Sequence, residues 1–221
     1  MDCTILATDE KHRALVWAAA SGDAAEVRRL LDLGADVHYN YDDALRLAAR
    51  HGRANTAEIL LDAGADPNGV DGWALFWAAY GGHVDVVRLL LSRGAKVDGK
   101  NGEPLRAAVR NHDAETVRAL VAGGANVAAE KYSSVKFAAF WREIQVLDAL
   151  LGAGNALDAG EDPRGYRFFG LKLDDGVFVA AGCRWFTIAK ARTHWANNPD
   201  ALARVERIAE WAARNREMAL A

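Results

Sequence analysis

Cysteine is scarce in this chain of 221 residues, which contains only Cys3 and Cys183. Two cysteines so far apart in sequence give neither a disulfide framework nor a cluster with metal-ligand spacing. The histidines are scattered as well, and the sequence contains no HExxH motif. We therefore predict no metal site and no cofactor.

An excess of one charge and long hydrophobic runs are also lacking. The sequence has 27 Lys and Arg against 30 Asp and Glu, a formal net charge of -3, so no global field attracts nucleic acid or an anionic membrane. No apolar run is long enough to span a bilayer, and the first residues lack the basic and apolar regions of a secretion signal. We expect a cytoplasmic protein with no nucleic-acid or membrane partner.

What the sequence does contain is a glycine that recurs every thirty residues, at Gly34, Gly64, Gly94, Gly124 and Gly154. An apolar run at helical spacing precedes each of these glycines, as in VDVVRLLL at 84–91. A helix that ends in a left-handed conformation favours glycine, which lacks a Cβ. Upstream lies a shorter apolar segment with paired small residues, such as Ala78-Ala79. The pattern predicts repeated units of helix, turn, helix and glycine stop.

The third unit, DGWALFWAAYGGHVDVVRLLLSRGAKVD at 71–98, resembles an ankyrin repeat. The family pattern joins a TPLHxAA-like first helix, a GH turn, a VVxLLL second helix and a GADVN ending. The resemblance covers five units, at 9–38, 39–68, 69–98, 99–128 and 129–158. It implies a mainly α fold, an ankyrin-repeat solenoid over residues 1–158, in which each unit buries its apolar face against the next.

Each unit is shorter than the family's usual length of about 33 residues. The residues that are missing fall in the loop between one unit and the next, so we expect short loop tips. His83 occupies the turn position of the family histidine, where we expect a hydrogen bond to the backbone.

The thirty-residue period fails after Asp158, and residues 159–221 predict a small α+β domain. Gly160–Gly165 indicates a connecting loop. A β-hairpin is predicted from Tyr166–Leu173 and Val177–Ala181, joined by a turn at Asp174-Asp175-Gly176. The short connection favours docking on the fifth repeat, although a separate interaction module is the alternative.

Two helices are predicted to follow the hairpin. Thr187 caps the first, which runs to about Trp195, and Asp200 caps the second, which ends near Met218. We expect the core of this domain to contain Trp185, Phe186, Trp195 and Trp211.

The family resemblance implies that a partner protein contacts the loop tips and the exposed face of the first helices. The residues at these positions are rich in Tyr, Trp, Phe and Arg, which dominate binding hot spots. They are Tyr39, Tyr41, Arg46, Arg50, His51, Trp73, Phe76, Tyr80, Arg106, Arg110, Tyr132, Phe140 and Trp141. Further loop positions are Asp42, Asp71, Lys100, Asn101 and Lys131. The alternative for each aromatic residue is packing against the neighbouring repeat.

We therefore expect an adaptor or inhibitor that binds another protein along the concave face, and not an enzyme. The alternatives are a scaffold that targets a C-terminal enzymatic or small-ligand-binding domain, or a module for self-association. Cys183, with Arg184 nearby and His194, could form a thiolate and its base. Because a cysteine among apolar residues at a strand end usually belongs to a core, we assign no catalytic residue. The oligomeric state stays open, with a monomer favoured.

Overall fold

The computed structural model describes residues 3–152, 155–173, 176–181 and 184–218, without the side chains of residues 3–9, 130, 131 and 215–218. The chain folds into two compact units, Met1–Asn126 and Val127–Ala221. The first unit contains four helical repeats, and the second contains the fifth repeat with the C-terminal segment. Our boundary after Asp158 follows the sequence period, whereas the compact units divide just before the fifth repeat.

Every repeat consists of a longer first helix and a shorter second helix. In the first unit the pairs are α1 (Cys3–Ser21) with α2 (Ala24–Asp32), α3 (Tyr39–Arg50) with α4 (Ala54–Asp62), α5 (Gly69–Tyr80) with α6 (Val84–Ser92), and α7 (Gly99–Arg110) with α8 (Ala114–Ala122). In the second unit α9 (Ala129–Phe140) pairs with α10 (Ile144–Leu151).

The repeats of the first unit stack in two layers of helices. Each first helix contacts the next first helix, and each second helix contacts the next second helix. Ala48, Ala49 and Ala79 are completely buried, so the first helices approach closely. Two leucines per repeat are buried, one on each helix: Leu15, Leu45, Leu75 and Leu105 on the first helices, and Leu30, Leu60, Leu90 and Leu120 on the second helices. The core is therefore continuous along the array.

The recurring glycines end the second helices as predicted. Gly34, Gly64, Gly94 and Gly124 have φ between 76° and 100°, a region that is costly for residues with a Cβ. Gly154 lies outside the described residues.

A left-handed turn of three residues opens the first helix of repeats two to four. Asn40, Tyr41 and Asp42 have φ of 51°, 61° and 61°. The same turn occurs at 70–72 and at 100–102. A turn this tight replaces a longer loop, which confirms the expected short loop tips.

Polar side chains beside these turns bind the backbone of the next repeat. Asn68 donates from Nδ2 to the carbonyl of Gly94 (3.1 Å) and accepts at Oδ1 from the amide of Lys96 (2.7 Å). Asp98 accepts in the same way from the amide of Asn126 (3.1 Å). These bonds fix the register of neighbouring repeats, because amides at loop ends lack helical partners.

A second set of hydrogen bonds links the turns within repeats to the preceding first helix. The three bonds run from Arg53 Nε to the carbonyl of Ala20 (3.2 Å), from His83 Nε2 to that of Arg50 (3.1 Å) and from Asn111 Nδ2 to that of Tyr80 (2.5 Å). The carbonyls are equivalent, thirty residues apart, and lie at the ends of helices where intrahelical donors are missing. The expected backbone bond of His83 is confirmed.

The C-terminal segment adds a four-stranded antiparallel sheet and two helices to the fifth repeat. The strands, in the order β1-β2-β3-β4, are β1 (Ala156–Glu161), β2 (Arg167–Leu173), β3 (Gly176–Ala181) and β4 (Arg184–Thr187). They are followed by α11 (Ile188–His194) and α12 (Pro199–Met218). Since α10 contacts β1 and α9 contacts β3, the predicted docking on the fifth repeat is confirmed.

The sequence prediction found two of the four strands. The hairpin is confirmed as β2 and β3, and its turn at Asp174-Asp175 lies outside the described residues. The predicted loop Gly160–Gly165 is wrong at its start, because Gly160 and Glu161 belong to β1. Strand β1 carries aspartate and glycine and is interrupted by a bulge between Asp158 and Gly160, all features that weaken a strand pattern. Strand β4 has only four residues.

One face of the sheet forms the core with α11 and α12. Phe168, Val179, Trp195 and Ile208 are buried there. Gly170 allows α12 to approach, because a Cβ at this position would lie 2.8 Å from Ile208 Cγ2. Of the four aromatic residues predicted for this core, Trp195 is buried and Phe186 and Trp211 pack against it. The prediction is wrong for Trp185, because side chains alternate along β4 and Trp185 points to the other face.

The caps of the two C-terminal helices are both polar side chains. Thr187 caps α11 as predicted and accepts from the amide of Lys190 (3.4 Å). The cap of α12 is Asn198, whose Oδ1 accepts from the amide of Ala201 (3.3 Å). The prediction of Asp200 is wrong because Pro199 begins the helix, a position that suits proline.

The turn between β1 and β2 is built around the buried carboxylate of Asp162. Its Oδ1 accepts from the amides of Arg164 and Tyr166 (both 3.0 Å), and its Oδ2 accepts from the Arg164 guanidinium (3.0 Å). Burial alone raises the pKa of Asp162, but the bonds from Tyr166 and Arg164 outweigh it and hold the pKa below its usual value.

Replacing Val70 by Asn should stabilise the first unit. Val70 has φ of 50°, which is strained for a β-branched residue, whereas asparagine tolerates this region and occupies the equivalent position at Asn40. We expect Val70→Asn to raise the free energy of unfolding by about 1 kcal/mol, measured by urea denaturation. Asn40→Val is the reciprocal control and should lower it; a loss of stability in Val70→Asn would contradict the assigned turn.

Replacing Asp162 by Asn should destabilise the second unit in a pH-dependent way. We expect a loss of about 2 kcal/mol at neutral pH, because a neutral amide accepts these hydrogen bonds more weakly than the buried carboxylate does. The folded-state pKa lies below the unfolded value of about 3.9, so the stabilisation is present above that pH and disappears as the pH falls through the folded-state pKa. The difference from wild type should therefore shrink on acidification. Asp200→Asn, an exposed aspartate of the same unit, is the control; a difference independent of pH would contradict this role.

Candidate functional site

Four aromatic rings of α5 lie together on one face of the helix. Phe76 and Trp77 each lie three or four residues from Trp73 and from Tyr80, the spacing that brings side chains together on a helix. Neighbouring ring centroids are 5.1 to 6.0 Å apart. The side chain of Tyr80 is exposed and the other three are half-buried. We refer to these four residues as the α5 aromatic cluster.

Cations from the two neighbouring repeats cover part of this cluster. Arg50 of the second repeat places its guanidinium carbon 4.7 Å from the centroid of Trp77. Lys100 of the fourth repeat places Nζ 3.3 Å from the centroid of Trp73 and 4.5 Å from that of Phe76. Such contacts are attractive because the ring faces are electron-rich. The result is an apolar surface bordered by positive charge on both sides.

Two of the predicted arginines are engaged by acids on their own helices. Arg46 forms an ion pair with Asp43, and Arg106 forms one with Glu103 at 2.7 Å. Both guanidinium groups are half-buried. Arg50 and Arg110 are exposed instead. The structure therefore offers Arg50 and Arg110 to a partner more openly than the other two.

The remaining predicted residues of the first unit are spread along the loops and helix ends. Tyr39 contacts the ring of His12, with centroids 5.0 Å apart. Tyr41, in the left-handed turn, is 76% exposed. His51 is exposed at the end of α3. None of these three belongs to the α5 aromatic cluster as we define it.

The fifth repeat carries its predicted residues in the second unit. Phe140 and Trp141 are about half exposed and form an edge-on pair with centroids 5.5 Å apart. Tyr132 lines a pocket beside the sheet. The side chain of Lys131 lies outside the described residues.

Sequence reasoning missed two tryptophans of this surface. Trp77 contacts all three other rings of the α5 aromatic cluster. Trp17 of α1 occupies the same repeat position, sixty residues earlier, and is 76% exposed. The spacing of Trp77 four residues after Trp73 was the signal that could have revealed it.

The thiol of Cys183 cannot be placed in a catalytic arrangement from the described part of the chain. Cys183 lies outside the described residues, and Arg184 Nη1 contacts His194 Nε2 at 3.2 Å. Across those residues, no three His, Cys, Asp or Glu side chains are grouped to hold a metal ion. The same part of the chain has no helix long and apolar enough to cross a membrane.

Comparison with known proteins identifies the repeats. A family model described as ankyrin repeats (3 copies) matches residues 2–71 and 75–159. These matches span most of the chain and cover the five predicted units except for residues 72–74 of the third. No curated protein matches the sequence.

A double-mutant cycle should detect the contact between Lys100 and Trp73. We expect Lys100→Met and Trp73→Leu to show a coupling free energy of about 0.5–1 kcal/mol in urea unfolding. Either single substitution already removes the cation–π contact, so the double variant should lose less stability than the sum of the two single variants. Lys96→Met, which removes an exposed lysine from the preceding loop, is the control and should show no coupling to Trp73. Equal coupling for both lysines would contradict the contact.

Proposed function

This chain belongs to the ankyrin-repeat family, whose repeats are generally protein–protein interaction modules, and we propose that it is an adaptor or inhibitor that captures a partner protein along its first helices. The proposed contact is centred on the α5 aromatic cluster. Arg50 and Lys100 form its charged borders, and the exposed turn residue Tyr41 adds a contact at the loop tips.

The observation that supports this proposal is the aromatic and cationic composition of α5 and its borders. Large rings supply apolar contact area at a small cost in side-chain entropy, and Arg supplies directional hydrogen bonds. Tyr80 is 56% exposed although it packs against Phe76 and Trp77. A partner could therefore bury this ring without rearranging the helix.

The charge at the borders favours a partner that carries acidic side chains around an apolar contact. Arg50 and Lys100 already lie over the rings, so their positions are restrained before binding. A carboxylate at the rim would gain a charge-assisted hydrogen bond. We propose no nucleic-acid partner, since the net charge of the chain is negative.

We assign no enzymatic reaction to the chain. The second candidate function is a scaffold in which the C-terminal segment binds a small molecule, and the pocket that Tyr132 lines favours it.

Capture by the full-length chain tests the proposed surface. Wild type, Phe76→Ala and Tyr80→Ala are immobilised and exposed to source-cell lysate, and bound proteins are measured by quantitative mass spectrometry. Removing a hot-spot ring should weaken the specific capture by at least about tenfold, so a partner should be retained by wild type and lost from both variants.

Tyr166→Ala is the matched control, since Tyr166 is 51% exposed but belongs to the second unit. It should capture the partner as wild type does. Thermal melting of each variant checks that the fold is intact. Unchanged capture by folded Phe76→Ala and Tyr80→Ala would exclude this surface.

A further inference from the structure

A pocket of about 590 Å³ opens between the fifth repeat and the sheet of the second unit. Helix α9 contributes Tyr132 and Lys136, the sheet contributes Leu173, Phe178 and Trp185, and Ala128, Thr187 and Lys190 complete the lining. This volume lies in the range of small-molecule sites, roughly 300–1,000 Å³. The pocket is formed by elements of one compact unit.

The walls of the pocket are aromatic because of the alternation along the strands. Phe178 and Trp185 lie on neighbouring strands, with their ring centroids 6.4 Å apart. Phe186, next to Trp185, contacts Trp195 of the core at 4.9 Å, so Trp185 points to the opposite face. Its ring is therefore available to the pocket and suits stacking with a planar molecule.

Two lysines place positive charge in the lining of the pocket. Lys136 places Nζ 5.7 Å from the centroid of Trp185, and Lys190 of α11 also lines the pocket. Neither lysine forms an ion pair with a residue that the structure describes. None of the lining residues within the described part of the chain is acidic. Both lysine side chains are exposed, and their two ammonium groups attract an anion to the pocket.

Thr187 adds a hydroxyl group to the same lining. Its oxygen accepts from the amide of Lys190 (3.4 Å) as the cap of α11, which leaves its proton free to donate. Every polar group named here can thus donate to a ligand oxygen.

We propose that this pocket binds a small aromatic anion, a planar ring system that carries a carboxylate, sulfonate or phosphate. The rings of Tyr132, Phe178 and Trp185 stack on the ring system, and Lys136 and Lys190 bind the anionic group. This site is separate from the α5 aromatic cluster and takes a different class of ligand, so either proposal can fail without the other.

Two fluorescent probes that differ in one charged group test the proposal on the full chain. Anilinonaphthalene sulfonate is a three-ring anion, and N-phenyl-1-naphthylamine has the same rings without the sulfonate. Titration should show that wild type binds the anionic probe about tenfold or more tightly than the neutral probe, as expected for a charge-assisted hydrogen bond. Equal affinity for both probes, or no binding of the anionic probe, would overturn the proposal.

Lysine variants locate the site. Lys136→Gln and Lys190→Gln should each lower the affinity for the anionic probe about three- to tenfold and leave the affinity for the neutral probe unchanged. Lys172→Gln is the matched control: Lys172 is exposed on β2 but does not line the pocket, and its loss should change neither affinity. If all three variants respond alike, the effect is one of net charge and the site is not this pocket.

A blocking variant separates this pocket from any other apolar surface that binds such probes. Ala128→Phe fills part of the cavity and should abolish the fluorescence increase with both probes. Retention of wild-type binding in a variant that melts as wild type does would place the probes elsewhere and overturn the assignment.

Discussion

Each repeat of the first unit buries its apolar face against its neighbours, and the packing of its helices accommodates that constraint. The paired alanines let the first helices approach, and leucines such as Leu60 and Leu90 are buried on the second helices. An array built this way leaves an apolar face at its last member. In the second unit, β1 and β3 contact the helices of the fifth repeat, so the sheet covers surface that another repeat would otherwise bury.

The repeats could be predicted from the sequence because their signal occurs five times in register. Helix ends at Gly64 and Gly94 follow from the conformational freedom of glycine. The left-handed turns could not be predicted in the same way, since Val70 and Lys100 carry no preference for positive φ.

The same distinction explains the C-terminal segment. The β2–β3 hairpin has a local turn signal and apolar strands, whereas β1 and β4 are strands only because they pair with β2 and β3. For the candidate site, family positions pointed to Phe76 and Tyr80, but they did not show that Trp77 joins these rings or that Glu103 engages Arg106. The pocket beside Trp185 depends on which face of a four-residue strand is turned toward α9, and no sequence pattern indicated that.

The hydrogen bonds from Arg53, His83 and Asn111 have a consequence for how such repeats diverge. A guanidinium, an imidazole and an amide all reach equivalent carbonyls of the preceding helix. At these three positions, the contact therefore depends on a donor that is long enough to reach the carbonyl, and not on which residue supplies it. Aligned by identity alone, these sites look unrelated. Within this one array, three different side-chain types make the same contact at three successive steps.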